Sequence, residues 1–172
     1  MKLSIKEITM FSMLGALMYL SKVIMEFAPN VHLLGVLTMA YTIVYRKKAL
    51  YPIYIYVILN GVFCGFAPWW IPYLYLWTVL WGVTMLLPKK LPKKAAPIIY
   101  MVICATHGFL FGTLYAPVQA ILYGLSFKAT IAWIMAGLPW DFIHGVSNFF
   151  CGALIVPISA ILKRAERGMA GK

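Results

Sequence analysis

Long apolar stretches separated by short clusters of lysine and arginine run through the whole chain, and this pattern constrains the fold more than any other feature. A transmembrane helix needs about 20 largely apolar residues, and fewer where neighbouring helices shield its ends. Of the 172 residues, 63% are hydrophobic, which is too high a share for a soluble domain of this length. The sequence therefore predicts an all-α integral membrane protein in which residues 1–172 form one six-helix transmembrane domain. The six predicted spans cover approximately residues 8–27, 31–45, 49–66, 70–87, 95–123 and 139–162.

The basic residues predict the orientation of these six helices. Because lysine and arginine concentrate in cytoplasmic loops, the side that carries most of them is the inner side. Both termini are therefore predicted to lie in the cytoplasm, with Lys22 and Lys128 the only basic residues outside. Basic residues confined to loops do not cover a folded surface, so the net charge of +11 does not indicate nucleic-acid binding. The residues predicted to lie inside are Lys2, Lys6, Arg46, Lys47, Lys48, Lys89, Lys90, Lys93, Lys94, Lys163, Arg164, Arg167 and Lys172.

The stretch from Val118 to Ala136 is apolar enough to form a seventh span. A seventh span would move the last basic cluster to the outer side, against the distribution of all the others. We therefore predict that this stretch is an outer helical connection between helices 5 and 6, in which Ser126 caps a short helix over residues 127–136. Pro117 is expected to bend or end the regular part of the fifth helix, and Pro139 to begin the sixth.

Polar side chains inside membrane segments are costly, so they are the strongest indications of a functional site. Asp141, His144 and Asn148 are spaced by three and four residues and therefore share one face of the predicted sixth helix. Such a stripe can bind a polar ligand in the outer part of the membrane, or it can clamp neighbouring helices together. The aspartate has no basic residue nearby in the sequence, which favours a ligand site over a clamp. His107 in the fifth helix fits a pocket and a packing role equally well.

Aromatic residues crowd the outer ends of the predicted helices. Membrane proteins generally carry an aromatic belt at each interface, but the predicted inner boundary here has tyrosines and no tryptophan. This one-sided distribution favours a pocket that opens outward and stacks on a flat ligand. Asn30 and His32 lie in the first outer loop, where they either gate that pocket or are simply solvated. The aromatic residues predicted to line the pocket are Trp70, Tyr73, Trp77, Trp133 and Trp140.

The stretch from Ala136 to Asn148, Ala-Gly-Leu-Pro-Trp-Asp-Phe-Ile-His-Gly-Val-Ser-Asn, is followed by Leu-Ile-Val-Pro at residues 154–157. In these segments, and in its length and six spans, the chain resembles the substrate-binding S-components of energy-coupling factor (ECF) transporters, the bacterial vitamin importers. The first helix places Ser12 and Ala16 in small-xxx-small spacing, similar to the family's helix that contacts the transmembrane coupling subunit. Alanine is usual at both positions in that family, so Ser12 departs from the pattern while keeping the small size.

The resemblance implies a multi-pass protein of the bacterial cytoplasmic membrane that captures a vitamin or related micronutrient from outside. A transmembrane coupling subunit and two cytoplasmic ATPases would then drive uptake, with the first outer loop, including Pro29, Asn30 and His32, acting as a lid. The chain has no GxxxxGK[ST] phosphate-binding loop, so ATP hydrolysis is expected in the partners and no enzymatic activity is predicted here. The aromatic residues favour a flat heterocyclic cargo, and neither a cofactor nor a metal is predicted.

Two other classes of function use the same residues. A small intramembrane enzyme would employ Asp141 and His144 as an acid–base pair, although no second carboxylate cluster or metal-ligand motif accompanies them. A stand-alone proton-coupled carrier would use them as a proton relay. A purely structural membrane subunit would bind no ligand. Dependence on ATP and co-purification with ATPase subunits distinguish the S-component from these alternatives.

Overall fold

The computed structural model describes residues 3–170, and within that range every regular element is helical. Two 3-10 turns, at Arg46–Ala49 and Gly152–Leu154, each join one α-helix directly to the next. A third, at Pro68–Trp70, precedes the fourth helix. The all-α prediction is therefore confirmed. The described α-helices are α1 (Ile5–Ile24), α2 (Leu34–Tyr45), α3 (Leu50–Cys64), α4 (Tyr73–Leu86), α5 (Ala96–Phe109), α6 (Phe111–Tyr123), α7 (Phe127–Cys151) and α8 (Ile155–Ala170).

Three helical segments of the described chain are long and apolar enough to cross a membrane: Ile5–Ile24, Ala96–Tyr123 and Phe127–Gly168. The first is α1, the second combines α5 with α6, and the third combines α7 with α8. The helices α2, α3 and α4 contain 12, 15 and 14 residues and are shorter than an unshielded span requires. Helices of spanning length and composition indicate a membrane protein.

α2 is the central helix of the bundle. Every residue from Leu34 to Thr42 is buried, and the helix packs against α1, α4, α5 and α8. A helix that is apolar on all sides has to be enclosed by its neighbours. Its polar side chains are accommodated locally, since the Thr42 hydroxyl donates to the Thr38 carbonyl at 2.6 Å. The core is therefore arranged around α2.

α7 continues without interruption from Phe127 to Cys151. The Ser126 hydroxyl accepts a hydrogen bond from the Ala129 N–H at 3.2 Å, which confirms the predicted cap. The predictions of a separate connecting helix over residues 127–136 and of a sixth helix starting at Pro139 are wrong, because Pro139 lies inside this single helix. A proline removes a hydrogen bond from the helix interior, and here packing of α5 and α6 along α7 holds the helix together.

The predicted fifth helix is interrupted at Leu110, between α5 and α6, and Pro117 lies inside α6. Pro117 was predicted to bend or end the regular part of this helix, and the second of these alternatives is therefore wrong. The interruption leaves the first N–H groups of α6 without partners inside that helix. One of them, on Gly112, donates to the carboxylate of Asp141 on α7. A contact between helices thus compensates for the break within the chain.

α5 and α7 approach each other closely enough that their backbones touch. A Cβ atom placed on Gly108 would lie 2.9 Å from both the Cα and the backbone nitrogen of Gly145. Real Cβ atoms almost never come so near to other backbone atoms. Glycines on both helices therefore set the short separation that brings the polar stripe of α7 against α5 and α6.

Candidate functional site

All three histidines of the chain lie in one cluster, although more than a hundred residues separate the first from the last. His32 precedes α2, His107 belongs to α5 and His144 to α7. The ring centroids of His32 and His144 are 4.7 Å apart, and those of His144 and Phe111 are 4.9 Å apart. Trp77 on α4 completes the group, 5.7 Å from His107 and 6.1 Å from His32. We refer to these five residues as the histidine–aromatic cluster.

Four buried ring nitrogens of this cluster have no hydrogen-bond partner among the described residues: Nδ1 of His32, Nδ1 of His107, Nε2 of His144 and Nε1 of Trp77. A buried polar group without a partner costs about 1–3 kcal/mol. Native proteins leave few such groups, and each one calls for a physical explanation. The other nitrogen of His107, Nε2, does have a partner and lies 3.0 Å from the Leu76 carbonyl oxygen. The cluster therefore combines aromatic walls with unused hydrogen-bonding capacity.

The chemistry of these nitrogens restricts what they can bind. The indole N–H of Trp77 only donates, while each neutral imidazole can donate through one nitrogen and accept through the other. A flat heterocycle with both donor and acceptor atoms would match this set of hydrogen-bonding groups. Among the described residues no group of three or more His, Cys, Asp and Glu side chains is arranged to hold a metal ion.

The three polar residues of α7 do not all have the same role. Asp141, His144 and Asn148 are all buried on one face, as their spacing predicts. Both carboxylate oxygens of Asp141 lie 3.0 Å from the Gly112 nitrogen in the first turn of α6. The amide nitrogen of Asn148 donates to the Cys104 carbonyl at 3.3 Å. The aspartate and the asparagine therefore hold α5 and α6, and only His144 joins the cluster.

Replacing Asp141 by asparagine is expected to lower the free energy of unfolding by about 1–2 kcal/mol. The reason is that the neutral amide loses the attraction between a negative charge and the positive end of α6. Thermal unfolding in detergent is measured with and without bound ligand. If Asp141 only holds α6 against α7, the variant should lose the same free energy of unfolding in both conditions. Glu26→Gln, at an exposed carboxylate in the turn after α1, is the matched control. A loss confined to the liganded protein would instead place Asp141 in the binding site.

The other predicted pocket residues do not all reach the cluster. Tyr73 packs against Trp77 with ring centroids 6.1 Å apart and extends the cluster toward the start of α4. Trp70 donates its indole N–H to the Val57 carbonyl at 2.8 Å and so attaches to α3. Trp133 stacks on Tyr115 outside the cluster, and Trp140 is exposed.

The loop between α1 and α2 lies beside the cluster. The Ser147 hydroxyl on α7 lies 2.9 Å from both the Asn30 carbonyl and the His144 carbonyl, which places the loop against the helix that carries His144. Asn30 has a positive φ of 60°, a conformation that asparagine tolerates better than most residues. Pro29 is exposed at the surface of this loop, while His32 reaches inward to the cluster. The three predicted lid residues therefore lie in one loop, and of the three only His32 belongs to the histidine–aromatic cluster.

Sequence reasoning missed two aromatic members of the site. Phe111 contacts both His107 and His144. It is four residues after His107, so helical spacing could have placed it on the same face. Tyr56 packs edge-on against Trp77 at 6.0 Å, and its buried hydroxyl has no partner among the described residues. Tyr56 lies four residues before Asn60, so helical spacing could have placed these two residues on the same face of α3.

The predicted coupling-subunit residues lie on the outer surface of α1. Ser12 and Ala16 are both exposed, while Phe11, Gly15 and Met18 on the other face are buried. The small side chains of Ser12 and Ala16 leave a shallow surface that another helix can approach closely.

Comparison with known proteins gives no match of any kind: no protein-family model matches the chain, and neither do curated proteins or solved structures.

Proposed function

We propose that this protein is the substrate-binding subunit of an ECF-type importer, which captures a vitamin-like aromatic heterocycle for uptake by partner subunits. The observation that carries the proposal is the histidine–aromatic cluster next to the loop between α1 and α2. Its buried nitrogens lack partners within the described protein, and a bound heterocycle would supply them. ATP hydrolysis and the force for transport belong to the partners in this proposal.

The arrangement of the helices supports six spans, formed by α1, α2, α3, α4, the α5–α6 pair and the α7–α8 pair. Lys48 forms an ion pair with Glu7, which brings the start of α1 and the turn after α2 to the same end of the bundle. The Arg46 guanidinium donates to the Met85 carbonyl at 2.9 Å, which adds the end of α4. Basic clusters gathered at one end favour both termini in the cytoplasm. The His32 loop then lies toward the outside.

The proposed cargo is neutral, flat and rich in nitrogen and oxygen atoms. The cluster itself contains no lysine, arginine or carboxylate, so it offers no ionic partner for a highly charged ligand. Asp141 is already bonded to Gly112. Pyrimidine, pterin, flavin and deazaguanine rings all present the required mixture of donors and acceptors.

A panel of free heterocycles from these four classes, tested against the detergent-purified protein, would examine the proposal directly. Binding to the folded state is expected to raise the melting temperature by several degrees for one class, because a ligand at about 100 times its Kd adds about 2.7 kcal/mol of stability. The absence of any shift across all four classes would contradict the proposed cargo. Co-purification of two ATPase subunits from the native membrane would independently support the importer assignment.

Leucine at Ser12 or Ala16 is expected to abolish assembly with the coupling subunit while leaving ligand binding unchanged. The added bulk would keep a partner helix away from the exposed face of α1. Pull-down of the ATPase subunits and thermal shift with ligand report the two properties separately. Ala132→Leu, at an exposed alanine of α7, is the control. Normal assembly of both variants would remove the proposed contact surface from α1.

The alternative functions require Asp141 and His144 to work as a pair. In the described structure the Asp141 carboxylate bonds to the Gly112 N–H, while His144 packs against His32 and Phe111. The structure therefore supplies no specific observation in favour of the enzyme or the proton-coupled carrier.

A further inference from the structure

A polar cavity of about 430 Å³ lies at the end of the bundle that carries the basic clusters, between the start of α1, the end of α2 and α8. Its charged residues are Lys6, Glu7, Lys48 and Glu166. The whole chain has only four acidic residues, so half of them line this single cavity. Everywhere else at this end of the protein the described charges are positive.

The cavity offers one cation and one anion that are not paired within it. Glu7 and Lys48 form an ion pair with each other. Lys6 and Glu166, by contrast, form no ion pair among the residues that the structure describes. A ligand with one negative and one positive group would therefore be matched on both sides.

Tyr45 supplies a further polar group at the inner wall of the cavity. Its side chain is only 7% exposed, and its buried hydroxyl has no hydrogen-bond partner in the described chain. A buried hydroxyl beside a cavity is a ready donor to an anionic oxygen. The tyrosine thus adds a polar group to the wall of the cavity.

An apolar groove of about 620 Å³ adjoins this cavity and shares Lys6, Met10 and Tyr45 with it. The groove follows α1 and α8, and its walls include Met13, Leu14 and Leu162. The polar cavity and the apolar groove therefore join at Lys6 and Tyr45. A polar cavity continued by an apolar groove has the shape and polarity of a phospholipid, whose headgroup is joined to acyl chains.

We propose that the cavity and groove together bind an aminophospholipid of the phosphatidylethanolamine type. Lys6 and the Tyr45 hydroxyl bind the phosphate, Glu166 binds the ammonium group, and an acyl chain lies in the groove between α1 and α8. The site rests on residence of the protein in a membrane and is independent of the cargo bound at the histidine–aromatic cluster. A purely anionic lipid lacks the ammonium group and would meet the carboxylate of Glu166 unfavourably.

Native mass spectrometry of the full-length protein, equilibrated with equal amounts of phosphatidylethanolamine, phosphatidylglycerol and phosphatidylcholine, tests this site. Retention of phosphatidylethanolamine is expected to exceed that of phosphatidylglycerol. Glu166→Gln should reduce the affinity for phosphatidylethanolamine about tenfold, since a charge-assisted hydrogen bond is lost. Glu26→Gln, outside the cavity, should leave it unchanged. Free phosphoethanolamine added in excess should displace little lipid, because it cannot occupy the groove.

A second pair of variants tests the groove and does not depend on the charged residues. Ala165→Trp fills the groove and is expected to reduce retention of the lipid at least tenfold, whereas Ala160→Trp, at an exposed alanine of α8 outside it, should not. Equal retention of phosphatidylglycerol and phosphatidylethanolamine, or equal effects of the two tryptophan variants, would overturn the proposal. A photocrosslinker placed at residue 165 would identify what occupies the groove in the membrane. Recovery of a second copy of the protein or of another polypeptide, in place of lipid, would overturn the proposal as well.

Discussion

Alanine in place of Gly108 is expected to destabilise the protein by about 3 kcal/mol or more, at the upper end of the cost of overpacking a core. The new methyl group would lie 2.9 Å from backbone atoms of Gly145 and from the amide nitrogen of Asn148. Backbone atoms cannot rotate away, so α5 and α7 would have to separate. Separation would also weaken the hydrogen bond between Asn148 and Cys104. Thermal unfolding in detergent measures the loss.

Gly82 provides the matched control for this substitution. It lies inside α4, and a Cβ atom placed there would meet nothing within 4 Å. Because alanine is favoured over glycine in a helix by about 1 kcal/mol, Gly82→Ala should be neutral or slightly stabilising. Similar melting temperatures for the two variants would show that the close approach of α5 and α7 is not needed for the fold.

Phenylalanine in place of His144 is expected to reduce cargo binding at least tenfold while preserving or raising the stability of the unliganded protein. The ring can still pack against His32 and Phe111, but a buried nitrogen without a partner is removed. Relief of an unsatisfied polar group is worth about 1–3 kcal/mol. Opposite changes in binding and stability are typical of residues kept for function.

Isothermal titration with the heterocycle identified by the thermal-shift panel measures the binding part of this prediction. Trp140→Phe serves as the control, because Trp140 is exposed and lies outside the histidine–aromatic cluster. The affinity of the Trp140→Phe variant for the heterocycle should equal that of the unsubstituted protein. Retained affinity in the His144 variant would remove that histidine from the site, and the proposed cargo position would have to change with it.

The helical class and the buried face of α7 were predictable from the sequence because both depend on local patterns. Apolar runs predict helices, and spacing by three and four residues placed Asp141, His144 and Asn148 on one face. Their partners were not predictable in the same way. Gly112, Cys104 and His32 come from other elements, and only the tertiary structure decides which side chain of the stripe meets which neighbour.

The prolines show the limit of local rules most clearly. Pro139 was expected to begin a helix and Pro117 to bend or end one, since proline is unfavourable in helix interiors. Both lie inside helices, and the break occurs instead at Leu110. Contacts between α6 and α7, including the bond from Gly112 to Asp141, favour this arrangement. Tertiary packing thus overrides a local preference that is worth about 3 kcal/mol in an isolated helix.

The enclosure of α2 has a consequence for the biogenesis of the protein. This helix is made early by the ribosome, yet one of its main neighbours is α8, the last of the described helices. Val36 and Met39 pack in one core cluster with Ile155 of α8. Until α8 is synthesised, that side of a 12-residue helix has no permanent cover. Assembly around α2 therefore cannot finish before α8 has been made, and a nascent chain stalled before residue 155 should remain open to chaperones and membrane proteases.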